Sequence, residues 1–220
     1  MNEKIKIHFV LEGNEEESLF KIVENYGIGD NLEVSYINSG GGGNVPYYFQ
    51  DAIQSGNYDL VYCVYDVDFK SEEKKGMYQR IVNGLFRVLG SKKEVDRVSL
   101  CTNPDILLIL LSGYVDDINE LSTIQSDKSS NTDLINKCCS KPIKKKKYDA
   151  SSWQLELIES DYLYTKKASY DKVLDKINVI NIEYKTNSIG SNILQVLKAL
   201  FENDVYYFMK IIKENEKLNI

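Results

Sequence analysis

Histidine is almost absent from this chain, cysteine is scarce, and no long apolar run occurs. His8 is the one histidine in 220 residues. A nucleophile relay built on imidazole therefore has little to work with, and His8, inside a strand-like run, reads as a packed side chain. Four cysteines do not make a secreted disulfide framework in a chain this long. There is no CxxC, and Cys138 and Cys139 stand too close together for the usual zinc-ligand spacing. Cys63 and Cys101 lie in apolar runs and read as reduced, buried thiols. The longest apolar run, at residues 106–111, is far short of the roughly 18 to 20 residues of a membrane span. Residues 1–6 show no signal-peptide pattern. A cytoplasmic location and no membrane partner are the expectations. GxxxxGK[ST] is missing, as is a GxGxxG in the right surroundings, which disfavours a nucleotide-binding loop.

What is present describes a globular chain: 43% hydrophobic and 27% charged residues, with 27 Lys and Arg against 33 Asp and Glu, a net charge of −6. Such an acidic balance argues against coating nucleic acid by a general positive field. The charge is also segregated. Residues 137–147 hold six lysines and no acid, and removing those six charges from −6 leaves −12 on the rest of the chain. This basic island, with Lys141, Lys144, Lys145, Lys146 and Lys147 at its centre, suits a polyanion as well as it suits a solvated loop.

The element order predicts an α/β fold. Apolar strand-like runs at 5–11, 32–37, 59–65 and 95–101 alternate with helical spacing at 18–28, 45–55 and 72–89. The run DLVYCVY at 59–65 is apolar nearly throughout, as a strand covered on both faces should be. A four-stranded, mainly parallel, Rossmann-like sheet with helices on both faces follows. Residues 1–113 form the α/β core. Residues 114–220 form a mostly helical extension packed on it, with the Lys-rich loop and a final helix over 193–214.

In a parallel sheet, ligands gather beyond the carboxyl ends of the strands. Acids stand at three of the four predicted ends: Glu12 after strand one, Asp66 and Asp68 after strand three, and Asp105 after Asn103 and Pro104 behind strand four. Carboxylates brought together there cannot all stay ionised without cations, and Mg²⁺ or Mn²⁺ takes such oxygen ligands. Glu12, Asp66 and Asp68 are thus the candidate catalytic and metal-binding residues, with Asp105 as an accessory acid. Glu12 would also act as a general acid or base, its pKa raised by its neighbours. Gly13 allows a tight turn. The run Gly40 to Gly43, including Gly41 and Gly42, would let backbone approach a phosphate, with Asn44 capping the next helix. Tyr47, Tyr48, Tyr206 and Tyr207, among 16 tyrosines, would stack bases or pack between elements.

With these residues in view, the chain resembles the TOPRIM fold and, within it, the RloB-like and AbiLii-type abortive-infection proteins of bacterial phage defence. FVLEG at 9–13 followed by Glu17 is similar to that family's "EG…E" motif. YDLVYCVYDVD at 58–68 looks like its "YD…W-C-V-F-D-x-D" strand, and Thr102, Asn103 and Pro104 match its "[ST]NP". The glycine run is similar as well, and residues 187–193 faintly resemble a late family segment. The likeness covers about residues 4–113. It implies that Glu12, Asp66 and Asp68 bind Mg²⁺ and drive phosphodiester cleavage, with Glu17 as an accessory acid. The chain departs from the pattern at Leu107 and Gly113, where the RloB-like motif has Glu and His, and at Glu16, where the family has Ser or Thr.

The resulting expectation is a Mg²⁺- or Mn²⁺-dependent nuclease cleaving DNA or RNA, tRNA included, as effector of an anti-phage system. Two alternatives stand beside it. One is a decayed regulatory or binding subunit paired with an ATPase partner, favoured by Leu107 and Gly113. The other is a DxD nucleotide-sugar transferase using Asp66 and Asp68, for which the chain is short and which leaves Glu12 and Gly13 unexplained. A homodimer is the base-rate expectation for assembly.

Overall fold

A computed structural model describes residues 4–26, 28–67, 72–103, 106 and 190–216. Strand β1 (Ile5–Leu11) leads into helix α1 (Asn14–Tyr26), and β2 (Leu32–Asn38) leads through a 3-10 turn (Gly42–Asn44) into α2 (Val45–Ser55). Then come β3 (Leu60–Asp66), α3 (Glu72–Leu89), α4 (Lys92–Val98) and β4 (Ser99–Asn103). A two-residue strand β5 (Gly190–Ser191) precedes α5 (Ile193–Phe201) and α6 (Val205–Glu216). The sheet order is β2-β1-β3-β4-β5; the first four strands are parallel and β5 is antiparallel to β4. The predicted four-stranded parallel, Rossmann-like sheet is therefore the observed architecture.

Alternation along the strands decides which side chains go to which layer. Val10, Val61, Cys63 and Tyr65 join one buried cluster with Phe49 of α2, Tyr78, Ile81 and Leu85 of α3, and Val95 and Val98 of α4. On the other parity, Phe9 packs against Phe20 of α1 and against Tyr62, and α5 packs against α1 and β4. Both faces of β3 are thus buried, which is why LVYCVYD shows no polar alternation. Burial of each large apolar side chain contributes about 1.5 to 3 kcal/mol.

Several boundaries differ from the sequence expectation. Helix α1 begins at Asn14, four residues earlier than predicted, because Glu15, Glu16 and Glu17 occupy its first turn, where carboxylates complement the helix dipole. Residues 95–98 are helical and the fourth strand starts only at Ser99; Val95 and Val98 are buried from a helix, and short apolar spacing does not tell the two states apart. The single helix predicted over 193–214 is two, broken at 202–204, where Asn203 takes φ 53°. Strand β5 was not predicted at all. Cys101 N–H donates to Asn192 Oδ1 at 2.7 Å, and the hydroxyls of Thr102 and Ser191 meet at 3.0 Å, so polar side chains hold this strand where length cannot. No helix among the described residues is long and apolar enough to cross a membrane.

Candidate acidic site at the strand ends

Glu12 is placed by three hydrogen bonds to its own N–H and carbonyl. Its N–H donates to Val64 O at 2.9 Å, and its carbonyl accepts from Gly41 N–H at 2.7 Å and from Ser39 Oγ at 3.1 Å. The chain thus leaves β1 pinned to β3 on one side and to the glycine turn on the other. Its carboxylate crosses to the neighbouring strand, where Asp66 N–H donates to Glu12 Oε2 at 3.0 Å. A Cβ added at Gly42 would lie 2.9 Å from Glu12 Oε1 and 2.9 Å from Ile81 Cδ1. The absent side chain at Gly42 is therefore what leaves room for the carboxylate. Gly41 takes φ 135°, a conformation that only glycine adopts easily.

Asp66 ends β3 opposite Thr102 of β4, and its Oδ1 accepts from Ile106 N–H at 2.9 Å. Glu12 and Asp66 stand at adjacent strand ends, both partly exposed. The parallel register fixes that adjacency.

Glu16 is the acid that sequence reasoning passed over as a substitution. It is 3% exposed, and its Oε2 accepts from Gly13 N–H at 2.8 Å. Gly13 immediately precedes α1 and Glu16 is the third helical residue, the spacing at which an acid reaches back to the cap N–H. That G-x-x-E spacing was the available signal. Burial first, and then the charge of Glu12, push the Glu16 carboxyl up to about 8. Glu16 therefore holds its proton at neutral pH.

Glu17, expected as an accessory acid, is not turned to this pair. Its carboxylate accepts from Asn38 Nδ2 at 2.7 Å and pairs with Lys21 Nζ at 2.8 Å, and the Asn38 hydrogen bond leads the causes that lower its pKa. Gly13 serves through its N–H rather than through a strained turn. Asn44 precedes α2 without a side-chain capping bond; its Nδ2 instead donates to Ser39 O at 2.9 Å, which ties the glycine turn together. Asn103 closes β4 opposite Gly190.

Asp68 and Asp105 lie outside the described residues, as do Leu107, Gly113, Cys138, Cys139 and Lys141 to Lys147. Among the described residues, no group of three or more His, Cys, Asp or Glu side chains is arranged to hold a metal ion. Cys63, Cys101 and His8 are among the described residues. Burial pushes the Cys63 thiol well above its usual range and the Cys101 thiol up to about 12, as for inert packed thiols. His8 Nδ1 lies 2.8 Å from Ser35 Oγ, and its ring stacks on Tyr58 at 4.3 Å. Burial lowers its pKa.

No protein-family model matches the chain, and comparison with curated proteins and with solved structures gives no match.

Proposed function

We propose that this protein is a Mg²⁺- or Mn²⁺-dependent nuclease of TOPRIM type, cleaving DNA or RNA phosphodiesters as the effector of an anti-phage system. The observation that carries the reading is the joint placement of Glu12 and Asp66 at neighbouring carboxyl ends of a parallel sheet, with the Glu12 carboxylate held on the Asp66 N–H at 3.0 Å. Two partly exposed hard-oxygen donors so placed suit a divalent cation, and Asp68, two residues beyond Asp66, supplies a third oxygen donor in the sequence motif. The cation, when bound, neutralises charge on the phosphoryl oxygens.

The chain's own residues provide the rest. Asp66 N–H and the space above Gly42 orient the Glu12 carboxylate. Glu16 keeps its proton near neutrality, which limits the negative charge beside Glu12 before a cation arrives. The phage-defence role and the pairing with an ATPase rest on the motif resemblance alone. A regulatory subunit paired with such an ATPase is the second reading, favoured by Leu107 and Gly113, where the RloB-like pattern that the chain resembles has Glu and His.

The test is incubation of the purified chain with plasmid, single-stranded DNA and tRNA in Mg²⁺ or Mn²⁺, beside Glu12→Gln and Asp66→Ala. Metal-dependent cleavage that falls by about a hundredfold or more in both variants is expected. Equal cleavage by Asp66→Ala refutes the site. Cleavage absent in isolation and restored by an ATPase partner selects the gated effector, and no cleavage under either condition selects the regulatory subunit.

A further inference from the structure

A groove at the amino end of the sheet carries charge opposite to that of the chain as a whole. It lies between the start of β1, the turn after α2 and one face of α6, with a volume of about 720 Å³, within the roughly 300 to 1,000 Å³ in which proteins hold ligands. Lys4, Lys6 and Lys213 line it against one carboxylate, Asp59. All three lysines are exposed, and among the described residues none of them has an ion-pair partner. Asp59 is already engaged. Its Oδ2 accepts from Lys6 N–H at 2.8 Å, while its own N–H donates to Lys6 O at 2.9 Å. The lining is thus net positive in a chain whose net charge is −6.

Helix α6 supplies an apolar wall. Val205, Phe208, Met209 and Ile212 have the i, i+3, i+4, i+7 spacing of a helix face that packs on a core. Phe208 completes that packing and is fully buried, whereas Met209 is 39% exposed and lines the groove with Val205 and Ile212. The apolar face of α6 is therefore only partly covered by the body of the protein. An unbranched, polarizable side chain such as Met209 adapts to differing apolar partners. Backbone groups that could cradle a phosphate are spent: Gly56 N–H donates to Ile53 O at 3.2 Å, Asn57 N–H to Ser55 Oγ at 3.3 Å and, in the first turn of α6, Tyr207 N–H to Asp204 Oδ1 at 3.0 Å. Among the described residues no arginine lines the groove. Anion recognition falls to lysine ammoniums spread along a partly apolar channel. That suits carboxylates carried on a chain with apolar side chains better than it suits a phosphate, which favours an arginine fork or a nest of N–H groups.

We propose that this groove docks an acidic, apolar-bearing peptide segment of a partner protein. Its carboxylates meet Lys4, Lys6 and Lys213, and its apolar side chains complete the burial of Met209 and Ile212. Charge carries the selection. The chain is acidic overall, so a carboxylate-rich segment is held only where local cations outweigh that background, and complementarity of this kind chooses partners more than it adds affinity. The length of β1, about 23 Å at ordinary strand rise, separates the groove from Glu12. A segment seated there does not touch the strand-end acids, and the inference stands whether or not those acids cleave nucleic acid.

A random peptide library displayed on phage, selected on the whole protein, tests this, with the enriched peptides then synthesised and labelled for Kd measurement. Enriched peptides should combine Asp or Glu with Leu, Ile or Phe. Lys213→Glu should raise their Kd by about tenfold, and Lys6→Glu together with Lys213→Glu by more. Lys210→Glu, the same charge reversal at an exposed position of α6 outside the groove, should leave Kd near the parent value. Met209→Ser should raise it by about 3- to 10-fold. A urea midpoint matching the parent's shows that each variant is folded before its Kd is read. Enrichment of basic or neutral peptides overturns the inference, as does no enrichment above the bare support. So does an equal loss with Lys210→Glu and Lys213→Glu, since net charge and not the groove would then be read. Inorganic phosphate or phosphatidylserine vesicles that bind with this dependence on Lys213 and Met209, where no peptide does, show a small anion or a membrane as the occupant and overturn it too.

Discussion

The two ends of the sheet carry opposite chemistry. At the carboxyl end, Glu12, Glu16 and Asp66 gather around a turn of glycines, and Glu16 is pushed up to about 8 by burial and by Glu12. At the amino end, Lys4, Lys6 and Lys213 line an open groove of about 720 Å³ together with Asp59, whose Oδ2 accepts from Lys6 N–H at 2.8 Å. There an ion pair ties two helices together. Arg97 bridges α4 to α6, with Nη1 3.0 Å from Glu94 Oε1 and 3.3 Å from Glu214 O, and Nη2 3.6 Å from Glu214 Oε2. One end is tied by an ion pair between helices, whereas the other gathers three carboxyl groups closely enough that one of them keeps its proton near neutrality, and perturbed acids of that kind cluster at functional sites.

Breaking the ion pair at the amino end should have the largest effect on stability. Arg97→Ala leaves the buried Glu94 carboxylate without its partner and detaches the end of α6, and a loss of about 2 to 3 kcal/mol is expected in urea unfolding. Arg97→Lys should recover part of it. If Arg97→Ala unfolds at the wild-type midpoint, the amino end is not held by this bridge.

Relieving the acidic end should do the reverse, and only at high pH. Glu16 titrates near 4.5 in the unfolded chain and near 8 in the folded one. Below pH 4.5 both states hold the proton and there is no cost. Between 4.5 and 8 the unfolded chain has released it and the folded chain has not, so stability falls as pH rises, and the full cost is present above 8. Glu16→Gln keeps an acceptor for Gly13 N–H and should be more stable than the wild type at pH 9 and no different from it at pH 4. A wild-type stability profile parallel to that of Glu16→Gln from pH 4 to 9 would show that Glu16 is not perturbed.

Smaller effects sharpen the contrast. Gly42→Ala puts a methyl 2.9 Å from Glu12 Oε1 and Ile81 Cδ1, both flexible chain ends. About 1 kcal/mol of lost stability is expected, and under the proposed nuclease function a larger proportional loss of metal-dependent cleavage, because the carboxylate must shift. Lys4→Ser at the exposed amino end should change stability by less than about 0.5 kcal/mol and leave cleavage unchanged; a marked loss of cleavage would mean that the two ends are not functionally separate.

How much of this could be read in advance differs from residue to residue. The limits of β1 and α2 follow from local signals: a β-branched run closed by Glu12 and Gly13, and Asn44, Val45 and Pro46 at a helix start. The limits of β4 do not. Val95 and Val98 serve a helix or a strand equally well over four residues, and their burial comes from α3 and β3 rather than from their own spacing. The two-residue β5 is invisible in advance because its hydrogen bonds to β4 are made by Ser191 and Asn192 across some ninety residues of chain. Glu12 and Asp66 could be nominated as strand-end acids, since the carboxyl end of a parallel strand is a property of the chain order. Glu16 and Glu17 could not be ranked. Both lie in one helical turn, and only the direction of each side chain sends one into the interior beside Glu12 and the other to Asn38 and Lys21.

The sequence by itself determined the alternation of strands and helices, the parallel sheet and the supply of acids at its carboxyl end, because these depend on apolar periodicity and on the order of elements along the chain. Only the tertiary structure decided that Glu12 reaches the Asp66 N–H, that Gly42 must lack a side chain and that Glu16 holds a proton. Those depend on distances between strands and on desolvation, which no local pattern of residues encodes.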